Sequence, residues 1–88
     1  IAPSNAYRCA GGEYVLIAAN GDNIFRRLMQ RMGRPDLADD PGLARNDGRA
    51  ARVDEIDAAI NAWTGALPIA EVLAALQEAE VPSGPIYT

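Results

Sequence analysis

Two acidic clusters are the first residues in this sequence that could do chemistry. Asp36, Asp39 and Asp40 lie close together, and neighbouring carboxylates can serve as general acid and base or hold a hard cation. A calcium loop needs alternating oxygen ligands and a distant glutamate, whereas residues 41–43 are Pro, Gly and Leu. We therefore favour turn and capping roles here, and a solvated, dipole-matched helix face for the acids at residues 54–57.

Three arginines, one cysteine and one tryptophan are the other residues that could do chemistry or bind a ligand. Arg27, Arg31 and Arg34 recur at steps of four and three, so on a continuous helix they form one stripe that could hold a phosphate. They are our candidates for cofactor binding, although a solvated face paired with nearby aspartates is the interpretation we favour. Cys9 has no base beside it and is interpreted as a buried apolar residue, and Trp63 as core or interface.

Residue types that are absent exclude most enzyme classes. All 8 basic side chains are arginine, and the chain contains no histidine and a single cysteine. A lysine base, a histidine-dependent triad and a zinc or iron–sulfur cage are therefore excluded, and we expect no catalytic residue and no metal site. The net charge of -4 disfavours nucleic acid. With no long apolar run and no internal disulfide possible, we expect no membrane contact and a cytoplasmic location.

The elements that must position these residues begin with a hairpin. Residues 7–10 and Tyr14–Ala18 are short apolar stretches on either side of Gly11 and Gly12, which suit a tight turn. The second strand is apolar at every position, which predicts that both of its faces are covered, by helix or by another domain. A weakly patterned pair, Ile86 and Tyr87, is predicted to return as a last strand.

Three amphipathic helices follow from the spacing of apolar residues. The first is capped by Asp22 and ends at Gly33, and residues 34–37 form one short turn. The second runs from about residue 46 to residue 64, and the third begins near Pro68. At 88 residues the chain makes one domain, residues 1–88. We predict an α+β, two-layer fold, in which a small antiparallel sheet packs with three helices.

The order of these landmarks resembles a known family. Residues 5–15 are similar to the hairpin pattern Y-x-C/T-x-D-G-x-Y of the family III CoA-transferases, the CaiB/BaiF family that includes formyl-CoA and carnitine CoA-transferases and α-methylacyl-CoA racemase. Further matching landmarks follow in order: Phe25, residues 32–37, residues 39–41, the arginine-containing stretch to Val53, Ile60 with Trp63, and residues 81–86. The chain departs from the family at Gly11, where Asp is common, which changes only the turn. It departs again at Gly21, near where racemase-like members tend to carry glutamate, so the choice between transferase and racemase subtypes stays open.

The resemblance implies a division of labour between domains. In that family a large domain carries the catalytic aspartate, which forms acyl-anhydride and CoA-thioester intermediates, and two chains interlock as a dimer. This chain resembles the small α+β domain that covers the active site, so the resemblance implies a CoA thioester and a large-domain partner for the full enzyme, but no cofactor bound by this chain alone. Because Ile1 is not methionine, we expect a piece of a longer protein.

Two further hypotheses remain open. The chain could be a stand-alone binding or assembly module that kept the fold and lost the enzyme, or a small CoA binder using the three arginines. The small-domain hypothesis makes its own structural prediction: the strand Tyr14–Ala18 or the Trp63 stripe should leave an exposed apolar patch.

Overall fold

A three-stranded antiparallel sheet forms one layer of the computed structural model, which describes residues 4–86. The strands are β1 (Ser4–Arg8), β2 (Tyr14–Ala18) and β3 (Ser83–Ile86), and β2 lies in the middle. The predicted hairpin and returning strand are confirmed, although β1 begins three residues before the predicted start, because its pairing with β2 continues to Ser4 and Ala18. Tyr87 lies outside the described residues.

Strand β3 is longer than the sequence predicts because it tolerates a proline. The Ala18 N–H donates to the Pro82 carbonyl (3.0 Å), so hydrogen-bonded pairs alternate from there along β2 and β3. Pro85 is opposite Val15 at a non-bonded position, where its missing N–H would face outward from the sheet. A proline that reads as a breaker in the sequence is therefore compatible with an edge strand.

The helices form the second layer. Their bounds are α1 (Asp22–Arg31), α2 (Pro35–Ala38), a 3-10 turn (Pro41–Leu43), α3 (Asn46–Ala51), α4 (Val53–Thr64) and α5 (Ile69–Glu78). The α+β, two-layer class is confirmed, but residues 4–86 contain five α-helices where three were predicted.

Two corrections explain the difference in helix number. The turn predicted at residues 34–37 closes into the four-residue helix α2, and the predicted second helix divides at Arg52, whose backbone leaves the helical region (φ -119°, ψ 28°). Arginine is a good helix former, so the break reflects tertiary contacts overriding local propensity. The Arg52 guanidinium binds Asp40 (2.8 Å) on one side and Glu55 (2.9 Å) on the other.

The core lies between the two layers. Val15 and Ile17 of β2 are fully buried against Phe25, Ile56 and other helix residues. Gly33 ends the α1 region with a left-handed φ of 76°, as predicted. Among the described residues the helices thus cover one face of the sheet.

A buried arginine, which the sequence did not reveal, fixes the start of α1. Arg49 is fully buried with its guanidinium 5.2 Å from the centroid of the Phe25 ring. It donates hydrogen bonds to the carbonyls of Leu43 (3.0 Å) and Asn20 (3.0 Å) and to the Asp22 carboxylate (2.7 Å). The prediction that Asp22 caps α1 is therefore wrong, because its carboxylate accepts from Arg49 and the N-cap, Gly21, has no side chain to cap with.

Candidate docking surface

The face of the sheet that points away from the helices is the principal candidate for function. Directly opposed residues of paired strands lie on the same side of a sheet, so the strand register places two rows of side chains on this face. We call these six positions the open face: Ala6, Arg8, Tyr14, Leu16, Gly84 and Ile86.

Large apolar side chains dominate the open face. Tyr14 is 44% exposed, Leu16 47% and Ile86 39%, although burying an apolar side chain of this size is energetically favourable. The predicted exposed apolar patch on β2 is confirmed. The prediction that both faces of β2 are covered holds within these residues only for the face occupied by Val15 and Ile17.

One cation lies at the open face. Arg8 is opposite Tyr14 in the register, and its side chain is exposed. Within residues 4–86 its guanidinium makes no hydrogen bond or ion pair, while its backbone carbonyl accepts from the Thr64 hydroxyl (2.9 Å). The strand is therefore held in place through its backbone, and the guanidinium remains available to a partner.

The edges of the sheet are less suited to docking than its face. The Ala6 N–H donates to the side chain of its neighbour Asn5 (2.8 Å), which satisfies a donor on the outer edge of β1. Pro85 removes a donor from the outer edge of β3. Contact through side chains of the open face is thus favoured over addition of a further strand.

The three arginines predicted as one phosphate-binding stripe are separated by their contacts. The Arg27 guanidinium donates to the carbonyls of Ala79 (2.9 Å) and Glu80 (3.0 Å), at the end of α5. Arg34 follows the left-handed Gly33 and forms a two-pronged pair with the Asp36 carboxylate (both 3.0 Å). No side-chain partner is recorded within residues 4–86 for Arg31. Two of the three are therefore engaged with this chain itself, and cofactor binding by the set stays a prediction.

The aspartate cluster does not converge on one point. Asp36 pairs with Arg34, Asp39 with Arg26 (3.0 Å), and Asp40 with Arg52. Asp40 also accepts from the N–H of Gly42 (2.8 Å), so it caps the 3-10 turn as the turn interpretation predicts. Hydrogen bonds from the paired arginines hold the pKa values of the Asp36 and Asp40 carboxyls below their usual range. Acids kept ionised in separate pairs do not make a general acid and base.

The second acidic run contains one contact that the sequence did not reveal. The Tyr7 hydroxyl donates to the Asp57 carboxylate (2.6 Å), which connects β1 to α4 across fifty positions of sequence. Burial, together with this hydrogen bond, raises the pKa of the Tyr7 phenol far above its usual value. Arg52 lowers the pKa of the neighbouring Glu55 by hydrogen bonding. One of the acids interpreted as solvated therefore holds the two layers together.

Cys9 and Trp63 take the places predicted for small and large core residues. Cys9 is buried, and burial raises the pKa of its thiol, with Glu13 adding a smaller effect. A thiol kept protonated is a poor nucleophile, which agrees with its interpretation as an apolar residue. Trp63 is half-buried and packs against the core.

Residues 4–86 contain neither a metal-binding cluster nor a helix able to span a membrane. No group of three or more His, Cys, Asp or Glu side chains in that range is placed to hold a metal ion. None of the helices found there has the length and apolar character needed to cross a bilayer.

Comparison with known proteins identifies relatives over the whole chain. The pattern of CoA-transferase family III matches residues 1–88. Succinyl-CoA–D-citramalate CoA-transferase of Chloroflexus aurantiacus is 43% identical over 88 residues, which cover 100% of this chain and 22% of that protein. Formyl-CoA:oxalate CoA-transferase of Streptomyces avermitilis is 35% identical over 91 residues, covering 98% of this chain and 22% of the relative.

A solved structure similar to this chain belongs to the same family as its sequence relatives. A CAIB/BAIF family protein from Brucella suis superposes with a TM-score of 0.89 at 33% identity, over 100% of this chain and 23% of that one. The chain spans about a fifth of the length of the curated relatives it matches. A match over every residue, in sequence and in fold, shows that the chain belongs to CoA-transferase family III.

Proposed function

We propose that this chain is the small domain of a family III acyl-CoA transferase, and that it covers an active site whose catalytic aspartate lies in a large domain outside residues 1–88. The observation that carries the proposal is the open face. Its apolar side chains are exposed in the chain alone and call for a covering surface that residues 4–86 do not supply.

The side chains of this domain support a role without catalysis. Its acids at residues 36, 39, 40, 55 and 57 are held by arginines or by the Tyr7 hydroxyl. The only thiol is buried with a raised pKa. We therefore assign no catalytic role to any position of this chain.

A covering domain has a chemical purpose in this family. By the family resemblance, the carboxylate of the catalytic aspartate attacks the thioester carbonyl of an acyl-CoA, displaces the CoA thiolate and forms a mixed anhydride. Water converts such an anhydride to two carboxylic acids, so the energy of the thioester is lost unless solvent is excluded. A small domain that docks through an apolar face can exclude water from the active site and so prevent this hydrolysis.

The whole protein's activity follows from its relatives as part of the same proposal. Two of the relatives are CoA-transferases whose names pair succinyl-CoA with D-citramalate and formyl-CoA with oxalate. We infer that the full enzyme transfers CoA from a thioester to a carboxylate. By the same resemblance it is a cytoplasmic protein that works as an interlocked homodimer with its large domain as partner.

A chimera tests the proposal. The segment of the Chloroflexus aurantiacus enzyme that aligns with this chain is replaced by residues 1–88, and CoA transfer from succinyl-CoA to D-citramalate is measured. We expect a folded, active chimera and no transfer by the isolated chain. Transfer by the isolated chain that is abolished by changing one of its own carboxylates would overturn the proposal, as would a folded chimera with no activity.

The covering role has its own readout in the same chimera. Leu16→Glu places a charge on the open face, and we expect it to raise the ratio of thioester hydrolysis to transfer, because water then reaches the anhydride. Ala58→Glu, at an exposed position of α4, is the matched control and should leave the ratio unchanged. If Leu16→Glu lowers transfer without raising hydrolysis, the domain does not act by excluding water.

A further inference from the structure

We propose that the open face is covered by a single amphipathic α-helix of about three turns, and that a carboxylate of this helix binds Arg8. The inference rests on the proposed function only in placing the helix in the large domain. The chemistry of recognition follows from the face itself.

The dimensions of the sheet fit one helix. Neighbouring strands are about 4.8 Å apart, so the two outer strands are separated by about 10 Å, close to the diameter of a helix with its side chains. The central strand β2 has 5 residues and is therefore about 17 Å long, which a helix of about 11 residues spans. Two helices side by side would extend beyond the face.

The relief of the open face also suits a helix. Leu16 is flanked in its row by Ala6 on one side and by Gly84 on the other. A Cβ atom added at Gly84 would meet no atom within 4 Å, so a hollow lies beside Leu16 on the β3 side. A ridge of helix side chains can enter this hollow while the larger Tyr14 and Ile86 contact the helix nearer its end.

The apolar pattern of β2 indicates that its outer face is covered as well as its inner face. Every residue of this strand is apolar, which is typical of strands buried on both faces, whereas strands with one solvated face alternate with polar residues. Helices already cover Val15 and Ile17 on the inner face. A helix on the outer face completes that arrangement.

Charge specifies the remaining feature of the partner. No acid occurs among the six positions of the open face, and the Arg8 guanidinium has no acceptor among residues 4–86. Covering this row without an acceptor would leave a cation desolvated and unpaired, which is strongly unfavourable. A carboxylate that reaches Arg8 from the helix removes the penalty and forms a two-pronged pair.

A tethered helix tests the inference on the 88-residue chain. A designed amphipathic helix of about 14 residues is fused after Thr88 through a flexible Gly-Ser linker, which raises its local concentration to about the millimolar range. Leucines follow the spacing i, i+3, i+4, i+7. Glutamates stand at both ends of the apolar stripe, so that either direction of docking offers one to Arg8, and a second fusion carries lysines instead.

We expect the glutamate fusion to shift the Leu16 methyl NMR signals and to melt about 4 °C or more above the lysine fusion. Arg8→Gln should abolish the difference between the fusions, whereas Arg31→Gln, which also changes an exposed arginine, should preserve it. Leu16→Glu should remove docking of both fusions. Equal melting of the two fusions, or unchanged Leu16 methyl signals in both, overturns the inference.

The outcome is independent of enzyme activity. A docked helix together with an inactive chimera would retain the inference and reject the proposed function. An active chimera without helix docking would retain the proposed function and reject the inference.

Discussion

Removal of one buried hydroxyl should measure how strongly the two layers are joined. Tyr7 is 1% exposed, and its hydroxyl donates to Asp57 (2.6 Å). A hydrogen bond to a charged group contributes about 1.5 to 3 kcal/mol. Asp57 is half-buried, so water can partly replace the lost donor, and we expect Tyr7→Phe to reduce the free energy of unfolding by about 1.5 kcal/mol. That corresponds to a fall in Tm of about 6 to 12 °C for a domain of this size.

Tyr14→Phe is the matched control because it removes the same group from the open face. Tyr14 is 44% exposed, and its hydroxyl makes no hydrogen bond within residues 4–86, so the free energy of unfolding should change by less than about 0.5 kcal/mol. Urea unfolding followed by the fluorescence of Trp63, the single tryptophan, measures both variants. Equal effects of the two substitutions would refute the assignment of the Tyr7–Asp57 contact.

Alkaline pH provides a second measurement of the same contact. Burial raises the pKa of Tyr7 above the value of 10.0 that applies to an unperturbed tyrosine, so its stabilising effect is complete below pH 10 and is lost as the pH rises. The loss is at most about 1.4 kcal/mol per pH unit. Tyr7→Phe has no group to ionise at this position, so the unfolding free energies of wild type and variant should converge above pH 10. Parallel pH profiles would contradict the raised pKa.

Three further predictions concern the helix layer. Arg49→Met removes the donors that reach three acceptors and should lower the free energy of unfolding, measured by urea titration, by about 3 kcal/mol. Arg49→Lys should recover only part of this stability. Gly48→Ala should prevent folding, as judged by circular dichroism, because its Cβ would overlap a carbonyl oxygen of the 3-10 turn, whereas Gly84→Ala, which meets no atom, should fold normally. Since Arg52 lowers the pKa of Asp40, the stability it provides is present above about pH 4 and lost as the pH falls, so Arg52→Gln should flatten the acid limb of the stability profile measured by urea unfolding.

The sheet and the helix faces could be predicted because their signals are local. The glycines at positions 11 and 12 both adopt a positive φ, 95° and 89°, in the turn where the hairpin was predicted. The apolar residues of the first helix recur at three- and four-residue spacing, and Phe25, Leu28 and Met29 among them are buried. Patterns within a few residues of one another suffice for such elements.

Contacts between distant segments could not be predicted in the same way. Arginine is rarely buried, so nothing near Arg49 in sequence distinguishes it from the seven other arginines. The partner of Tyr7 is fifty positions away, and the break at Arg52 depends on Asp40, twelve positions earlier. Each of these contacts exists only once the layers have assembled.

The open face combines both kinds of information. The apolar β2 strand predicted an exposed patch, because a strand needs only every second residue to hold a sheet on its helices. The contribution of Ile86 and the position of Arg8 followed only from the strand register. The strand pattern thus located the exposed apolar face, but not the residues from the other two strands that complete it.

The distribution of arginines separates the residues that hold the fold from those that face outward. Arg27, Arg49 and Arg52 are engaged by carbonyls or carboxylates of this chain and connect one helix or turn to another. Arg34 pairs locally, with Asp36 two residues away. Polar residues in place of Tyr14 and Leu16, the outward positions of β2, would hold the sheet equally well and would avoid exposing apolar surface to water. Their absence, beside a guanidinium that no described acid meets, is what a contact surface requires. Within residues 4–86 the three connecting arginines are therefore satisfied by the chain itself, whereas the apolar open face and Arg8 are left without a covering surface.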